Sequence, residues 1–236
     1  MSVLTVARRF RGPTESANGG YICGLIASSA PGPVTVRLLR PPPLETPLAV
    51  VERHGLLDVL HGEELVAQAR PGNVGNLVPP RPPTPREAIE ASARYAGFSR
   101  HPAPECFVCG PERAHGDGLC IFAGTVSAGA AVAAPWVPDP SLDRGDGRIG
   151  IEFAWAALDC PGYAAVAPDM RQMLLGELTA RVDRCVQIGE PCTVVGWQIG
   201  ASGRKHEAGT ALYGADGVLC AHARALWIEP RAAAAA

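Results

Sequence analysis

The stretch IGIEFAWAALDCPGYAAV, Ile149–Val166, decides how the chain is interpreted. Its apolar residues predict a buried helix that begins at Gly150 and ends at Pro161, because proline cannot continue a helix. This apolar segment nevertheless carries two acids, Glu152 and Asp159. A buried carboxylate is costly unless it is paired or neutralised. Asp159, in the last predicted turn, is therefore either satisfied structurally or kept for chemistry.

The composition is that of a globular protein with room for one large domain or two small ones. The chain has 236 residues, of which 47% are hydrophobic and 19% charged, with a formal net charge of −2. Clustered basic residues that would neutralise phosphates are absent from the sequence, which argues against a nucleic-acid partner. Apolar runs of membrane-spanning length and the apolar core of a signal peptide are also absent. We therefore expect a cytoplasmic protein without a membrane partner, whose eight cysteines are reduced thiols.

Three short motifs of the first half return in the same order in the second half. VTVRL at 34–38 returns as LTARV at 178–182, and PLAVV at 47–51 returns as PCTVV at 191–195. LVAQAR at 65–70 returns as LCAHAR at 219–224. The first two offsets are 144 residues and the third is 154 residues. Two copies of one unit, with a longer hairpin at 200–209 in the second copy, explain this spacing.

Each copy has the same predicted order of elements: an apolar strand, a helix opened by glycine, and an alternating antiparallel meander. Helices that are apolar nearly all round indicate a sheet wrapped around them. The strands expected in the second copy are 173–184, 191–200, 206–214 and 217–228. The predicted organisation is a first unit at 1–78 and a second unit at 120–230, followed by a disordered tail at 231–236. Between the units, 79–119 is a Pro-rich linker with a short helix and a Cys-x-x-Cys stretch.

Three stretches carry a resemblance to a known family: NGGYICGLIA (18–27), CFVCGPERAHGDGL (106–119) and GIEFAWAALDCPG (150–162). Together they resemble the hot-dog fold acyl-CoA thioesterases, in a tandem, phenylacetyl-CoA thioesterase-like form. The resemblance implies an α+β double hot dog, in which two long central helices are wrapped by one continuous antiparallel sheet.

The resemblance also implies a catalytic arrangement. In this family a backbone N–H at the N-terminus of one helix stabilises the oxyanion, and the acid comes from the helix of the other unit. This assigns Asp159 as general base or nucleophile and Gly19 and Gly20 as the oxyanion element, with Asn18 capping their helix. Gly150 lies about 13 Å from Asp159 along a helix, so these two cannot act on one carbonyl. Capping and close helix packing are the alternative explanations for the Asn-Gly-Gly sequence.

Counted from the opening glycines, the acid is matched in the first copy by Ser28 or Ser29, so one site rather than two is expected. We predict that the acyl group enters between the helices, with Tyr21, Trp155 and Glu152 among its contacts. Glu152 could equally be a first-turn acid that complements the helix dipole. Arg204 and Lys205, beside a hairpin tip, are either solvated or a clamp for the coenzyme A phosphates.

The Cys106–Cys109 pair resembles half of a zinc site. Four ligands are usual for structural zinc, and the nearby sequence offers only His101 and His115 in addition. The sequence therefore predicts a tight turn without metal, and no cofactor beyond the coenzyme A of the substrate.

The function that follows is hydrolysis of an acyl-CoA or acyl-carrier thioester. The rival is a degenerate hot dog that binds an acyl-CoA or lipid without turning it over. A serine hydrolase is disfavoured because the sequence has no G-x-S-x-G motif, and the paired His/Asp pattern expected of a dehydratase on this fold is missing. The expected partners are a small acyl thioester and, through sheet edges, a second copy in a homodimer.

Overall fold

One large antiparallel sheet organises the protein. In the computed structural model, which describes residues 2–127 and 129–231, eleven strands are joined in the order β1-β3-β4-β5-β2-β8-β11-β10-β9-β7-β6. The first five strands are β1 Ser2–Leu4, β2 Val34–Leu38, β3 Leu48–Arg53, β4 Leu56–His61 and β5 Glu64–Pro71. The others are β6 Gly124–Thr125, β7 Ala131–Trp136, β8 Leu174–Val182, β9 Cys192–Ser202, β10 Lys205–Tyr213 and β11 Leu219–Ile228.

The two halves of the sheet meet at β2 and β8, which run antiparallel with Thr35 opposite Thr179. Their hydroxyl oxygens lie 2.7 Å apart in a buried contact. Outward from this seam, the order β5, β4, β3, β1 on one side matches β11, β10, β9, β7 on the other. The motifs LVAQAR and LCAHAR fall in β5 and β11, which occupy equivalent places beside the seam.

Four α-helices lie within the described ranges: α1 Gly19–Ser28, α2 Pro85–Ser92, α3 Ile151–Ala157 and α4 Cys160–Val166. Three short 3-10 turns accompany them, at Arg8–Phe10, Ala96–Phe98 and Pro140–Leu142. α2 begins with a capping box formed by Thr84 and Glu87, which satisfies free amides of the first turn. The linker sequence predicts a helix from Arg86 with Gly97 as its C-cap, but α2 ends earlier, at Ser92.

α1 and α3 pack against each other inside the curve of the sheet, and glycines make this contact possible. A Cβ placed on Gly20 would lie 3.0 Å from Cα of Ala156, and one on Gly24 would lie 2.5 Å from Cα of Glu152. As α1 advances, its neighbours on α3 run backwards, so the two helices are antiparallel. Small residues thus bring the two backbones close together.

The expectation of two long central helices is wrong. α1 has ten residues, and the second apolar segment is divided into α3 and α4, of seven residues each. Pro161 lies in the first turn of α4 rather than ending a helix, and a proline without an N–H is tolerated there. The Thr210 hydroxyl donates to the Leu158 carbonyl at 2.7 Å, which satisfies a carbonyl left free by the break.

The first strand is also shorter than expected. VLTVARRF predicts a strand over residues 3–10, but β1 ends at Leu4 and residues 8–10 form a 3-10 turn. That turn places Phe10 on the Tyr21 ring, with 4.1 Å between ring centroids. The predicted tail, 231–236, lies outside the described residues except for Arg231. No helix in the described part of the chain is long and apolar enough to span a membrane.

Candidate active site

A cavity of about 590 Å³ opens at the N-terminus of α1. Its polar wall contains Asn18, Gly19 and Asp159. The remaining wall is largely apolar, and part of it comes from strands near the centre of the sheet, with Leu38, Leu175, Trp227 and Ile228 as examples. An apolar cavity with a few converging polar groups is the usual form of a small-molecule site.

Asp159 lies at the junction between α3 and α4 and is 2% exposed. Its Oδ2 atom accepts hydrogen bonds from the Gly20 amide at 2.8 Å and from Asn18 Nδ2 at 3.0 Å. Its Oδ1 atom is buried and has no hydrogen-bond partner among the described residues. One carboxylate oxygen is therefore fixed by α1, and the other, on a residue that lines the cavity, has no hydrogen-bond partner in the described part of the chain.

Burial dominates the electrostatics of this carboxyl group. Removal from water raises the pKa of Asp159 to about 7, while the hydrogen bonds from Gly20 and Asn18 act in the opposite direction. Desolvation disfavours the charged form, and donors that bond the carboxylate favour it. Strongly shifted pKa values of this kind are concentrated at functional sites.

The first turn of α1 has one amide left for a ligand. The Gly20 amide is bonded to Asp159, and the Tyr21 amide is bonded to the Asn18 side chain at 2.9 Å. The Gly19 amide has no hydrogen-bond partner among the described residues, and Gly19 lines the cavity. The sequence assigns both glycines to the oxyanion, but in this conformation Gly20 holds the acid and Gly19 alone is available.

Three cysteines form the wall next to the acid. The sulfur atoms of Cys106, Cys109 and Cys160 lie within 4.8 Å of one another, and all three residues are buried. Hydrogen bonds from the Cys109 and Cys160 thiols hold the pKa of Cys106 well below its usual range. The sequence alone missed this cluster because Cys160 is distant in the chain from the Cys-x-x-Cys stretch.

Three of the expected substrate contacts lie elsewhere. Tyr21 packs into an aromatic cluster, with Phe10 and Phe153 among its neighbours, and does not line the cavity. Trp155 lies on the other side of the helix pair, in the wall of a second cavity. Glu152 is buried against α1 and forms an ion pair with Arg144 at 2.8 Å. Sequence periodicity predicts that these residues are inside but not which way each helix is rotated.

The two basic residues of the hairpin tip are exposed near the rim of the cavity. Arg204 donates to the Glu229 carbonyl at 2.6 Å. Lys205 pairs in register with Ile228, which lines the cavity. The hairpin tip is thus adjacent to the site, with both positive charges facing solvent.

Comparison with solved structures identifies the fold. The chain superposes on a protein assigned as a thioesterase from Novosphingobium aromaticivorans with a TM-score of 0.62 at 13% identity, covering 97% of this chain and 94% of that one. The tesB protein of Mycobacterium avium subsp. paratuberculosis gives a TM-score of 0.61 at 14% identity, covering 97% and 92%. This is the hot-dog fold. A protein assigned as a thioesterase II from Thermobifida fusca agrees, with a TM-score of 0.57 at 15% identity over 97% and 92%. The sequence itself matches no family model and no curated protein.

Proposed function

We propose that the protein is a thioester hydrolase that acts on an acyl-CoA or acyl-carrier substrate in the cavity at the N-terminus of α1. The observation that carries the proposal is the unpaired Oδ1 atom of buried Asp159, in a residue that lines the same cavity as Gly19, whose amide is also unpaired within the described ranges. A base and an oxyanion donor facing one cavity are what hydrolysis of a thioester requires.

In this reaction the substrate carbonyl accepts a hydrogen bond from the Gly19 amide. Asp159 either removes a proton from the attacking water or attacks the carbonyl carbon itself and is released by water in a second step. In both routes one water is consumed, the C–S bond breaks, and the products are a carboxylic acid and a free thiol. Negative charge that develops on the carbonyl oxygen is stabilised by the N-terminus of α1.

The apolar wall accounts for the acyl half of the substrate, and the hairpin tip accounts for the carrier half. Arg204 and Lys205 provide two exposed positive charges near the rim, where a coenzyme A phosphate could be bound. We place the protein in the cytoplasm with reduced cysteines, and we expect any homodimer to form through sheet edges. The acid–base chemistry needs no organic cofactor.

The test is a panel of short, long and aromatic acyl-CoA substrates, with released coenzyme A quantified by chromatography so that the protein's own thiols do not interfere. Asp159→Asn keeps the shape and an oxygen for the Gly20 and Asn18 donors. Turnover should fall by about 10²–10⁴, the usual share of acid–base catalysis, while the melting temperature is kept. Glu152→Gln is the matched control, since it neutralises the other buried acid of the helix pair away from the cavity.

Two results would contradict the proposal. If Asp159→Asn keeps full turnover but melts many degrees lower, the carboxylate is structural. If the wild type binds acyl-CoA in calorimetry but releases no coenzyme A from any substrate, the rival function, a non-catalytic acyl-CoA or lipid binder, is correct.

A further inference from the structure

Two separate parts of the chain bring three buried sulfur atoms close together. Cys106 and Cys109 belong to the segment between α2 and β6, and Cys160 is the first residue of α4. Their exposed fractions are 4%, 3% and 6%. The remaining five cysteines are free and are not part of this group.

The distance between two of the sulfurs matches an edge of a coordination tetrahedron. Thiolates bound to zinc at about 2.3 Å in tetrahedral geometry lie roughly 3.8 Å from one another. Sγ of Cys106 and Sγ of Cys160 are 3.8 Å apart, and Cys109 completes a triangle with no side above 4.8 Å. A Cys106–Cys160 disulfide would need the two sulfurs at about 2.05 Å.

The loop that carries two of the cysteines is built to direct them inward. The Gly110 amide donates to the Cys106 carbonyl at 2.9 Å. A Cβ on Gly110 would lie 2.5 Å from the Pro104 carbonyl, so only glycine allows this turn to close.

Side-chain donors also converge on the sulfurs. Asn18 Nδ2 lies 3.7 Å from Sγ of Cys106 and 3.9 Å from Sγ of Cys160. His101 Nε2 lies 3.4 Å from Sγ of Cys109. Because His101 Nδ1 accepts the Ala103 amide at 2.9 Å, the proton of the neutral ring is on Nε2 and points at the sulfur. Neutral apolar thiols do not need such donors, whereas negatively charged thiolates do.

We propose that Cys106, Cys109 and Cys160 form a three-thiolate site for a zinc-type divalent ion, with the fourth coordination position open to the cavity. On binding, the three thiols lose three protons and form three metal–sulfur bonds, without oxidation or reduction. His101 donates to a ligating sulfur rather than to the ion, and Asn18 spans this site and Asp159. Three protein ligands with an open fourth position distinguish it from a closed structural site.

This site does not depend on whether Asp159 hydrolyses thioesters, and it departs from the metal-free turn that the sequence predicts. That prediction counted ligands along the chain near Cys106, where only two histidines are available. The fold adds the third sulfur from α4.

The experiment is metal analysis of the full-length protein, purified under reducing, chelator-free conditions from zinc-supplemented cells. We expect about one zinc ion per chain. Replacement by Co²⁺ should give thiolate-to-cobalt charge-transfer bands and the visible bands of a tetrahedral ion. Chelation should lower the melting temperature, because the ion joins the 101–110 region to α4.

Variants locate the site. Cys106→Ser and Cys160→Ser should weaken zinc binding by more than the roughly 10–100-fold that loss of an outer-shell partner costs. Cys192→Ser is the matched control, because this buried cysteine donates to the Glu190 carbonyl and a serine hydroxyl can do the same. Its zinc content should equal that of the wild type.

Wild-type protein that contains no zinc, and that takes up neither Zn²⁺ nor Co²⁺ after reduction, would overturn the proposal even if no variant folds. A Cys106–Cys160 disulfide in anaerobically purified protein, or equal zinc loss in Cys192→Ser and Cys106→Ser, would overturn it as well.

Discussion

The contact between α1 and α3 can be tested at Gly20, where one methyl group should both destabilise the protein and displace the acid. A Cβ there would lie 2.5 Å from Cβ of Asp159 and 2.7 Å from the Trp155 carbonyl oxygen. Neither atom can move away by a side-chain rotation. In Gly20→Ala the two helices therefore have to separate, and the hydrogen bond from the Gly20 amide to Asp159 has to lengthen.

The magnitude follows from two opposing terms. Overpacking a well-packed interior costs about 1–3 kcal/mol, and alanine in a helix recovers about 0.5–1 kcal/mol relative to glycine. Since the blocking atoms belong to backbone and Cβ, we expect the upper end, a net loss of about 2 kcal/mol in the free energy of unfolding. For a chain of this length that loss lowers the melting temperature by about 4–8 °C.

Gly19→Ala is the matched control one residue earlier in the same helix. Its added methyl group would meet the Leu175 side chain, with Cδ2 at 2.7 Å and Cβ at 3.1 Å. Cδ2 can rotate away, and the contact with Cβ needs a shift of only a few tenths of an ångström. We expect a change within about 0.5 kcal/mol. Differential scanning calorimetry of both variants measures the contrast. Equal melting temperatures for the two variants, or an unchanged one for Gly20→Ala, would refute the argument that this contact limits helix separation.

Two further predictions concern buried hydroxyls and are checked by denaturant unfolding. Thr35→Val alone should lower the free energy of unfolding by about 1–3 kcal/mol, because it leaves the Thr179 hydroxyl unsatisfied at the seam. The double variant Thr35→Val with Thr179→Val should have nearly the stability of the wild type. Additive losses in the double variant would contradict this. Thr210→Val should also cost about 1–3 kcal/mol, since it leaves the Leu158 carbonyl at the helix break without its donor. Thr193→Val is its control and should change stability by less than about 0.5 kcal/mol, so equal losses would argue against the role of Thr210.

The strands of the second half were predictable because their alternation is regular and glycines separate them. The expected ranges agree with β8 to β11 within two residues at each end. The break between α3 and α4 was not predictable from proline alone. Pro161 is compatible with either a helix end or a first turn, and Thr210, some fifty residues later, satisfies the Leu158 carbonyl at the break.

The convergence of Asp159 with Asn18 and Gly20 could be predicted from the resemblance to the hot-dog thioesterases, which implies that the helix start of one unit meets the acid of the other. The side of each helix that faces the cavity could not be predicted. Tyr21 and Trp155 are apolar positions at helical spacing, and burial in a core satisfies them as well as a cavity does. Helix rotation depends on where the glycines allow backbone contact, which is a property of the assembled pair.

The remaining asymmetry between the halves explains why one catalytic centre is proposed. A second cavity is lined by Ser28, Ile151 and Trp155, so the serine that matches the acid occupies the place equivalent to Asp159. Its hydroxyl donates to a carbonyl of its own helix at 2.8 Å. At the helix start, a Cβ on Gly150 would lie 2.5 Å from both Arg144 and Glu152, whose ion pair covers that end. The second cavity therefore has no carboxylate at the place equivalent to Asp159, and Asp183 in its wall is paired with Arg181 at 2.8 Å. With its helix start covered as well, we assign the chemistry to the first cavity.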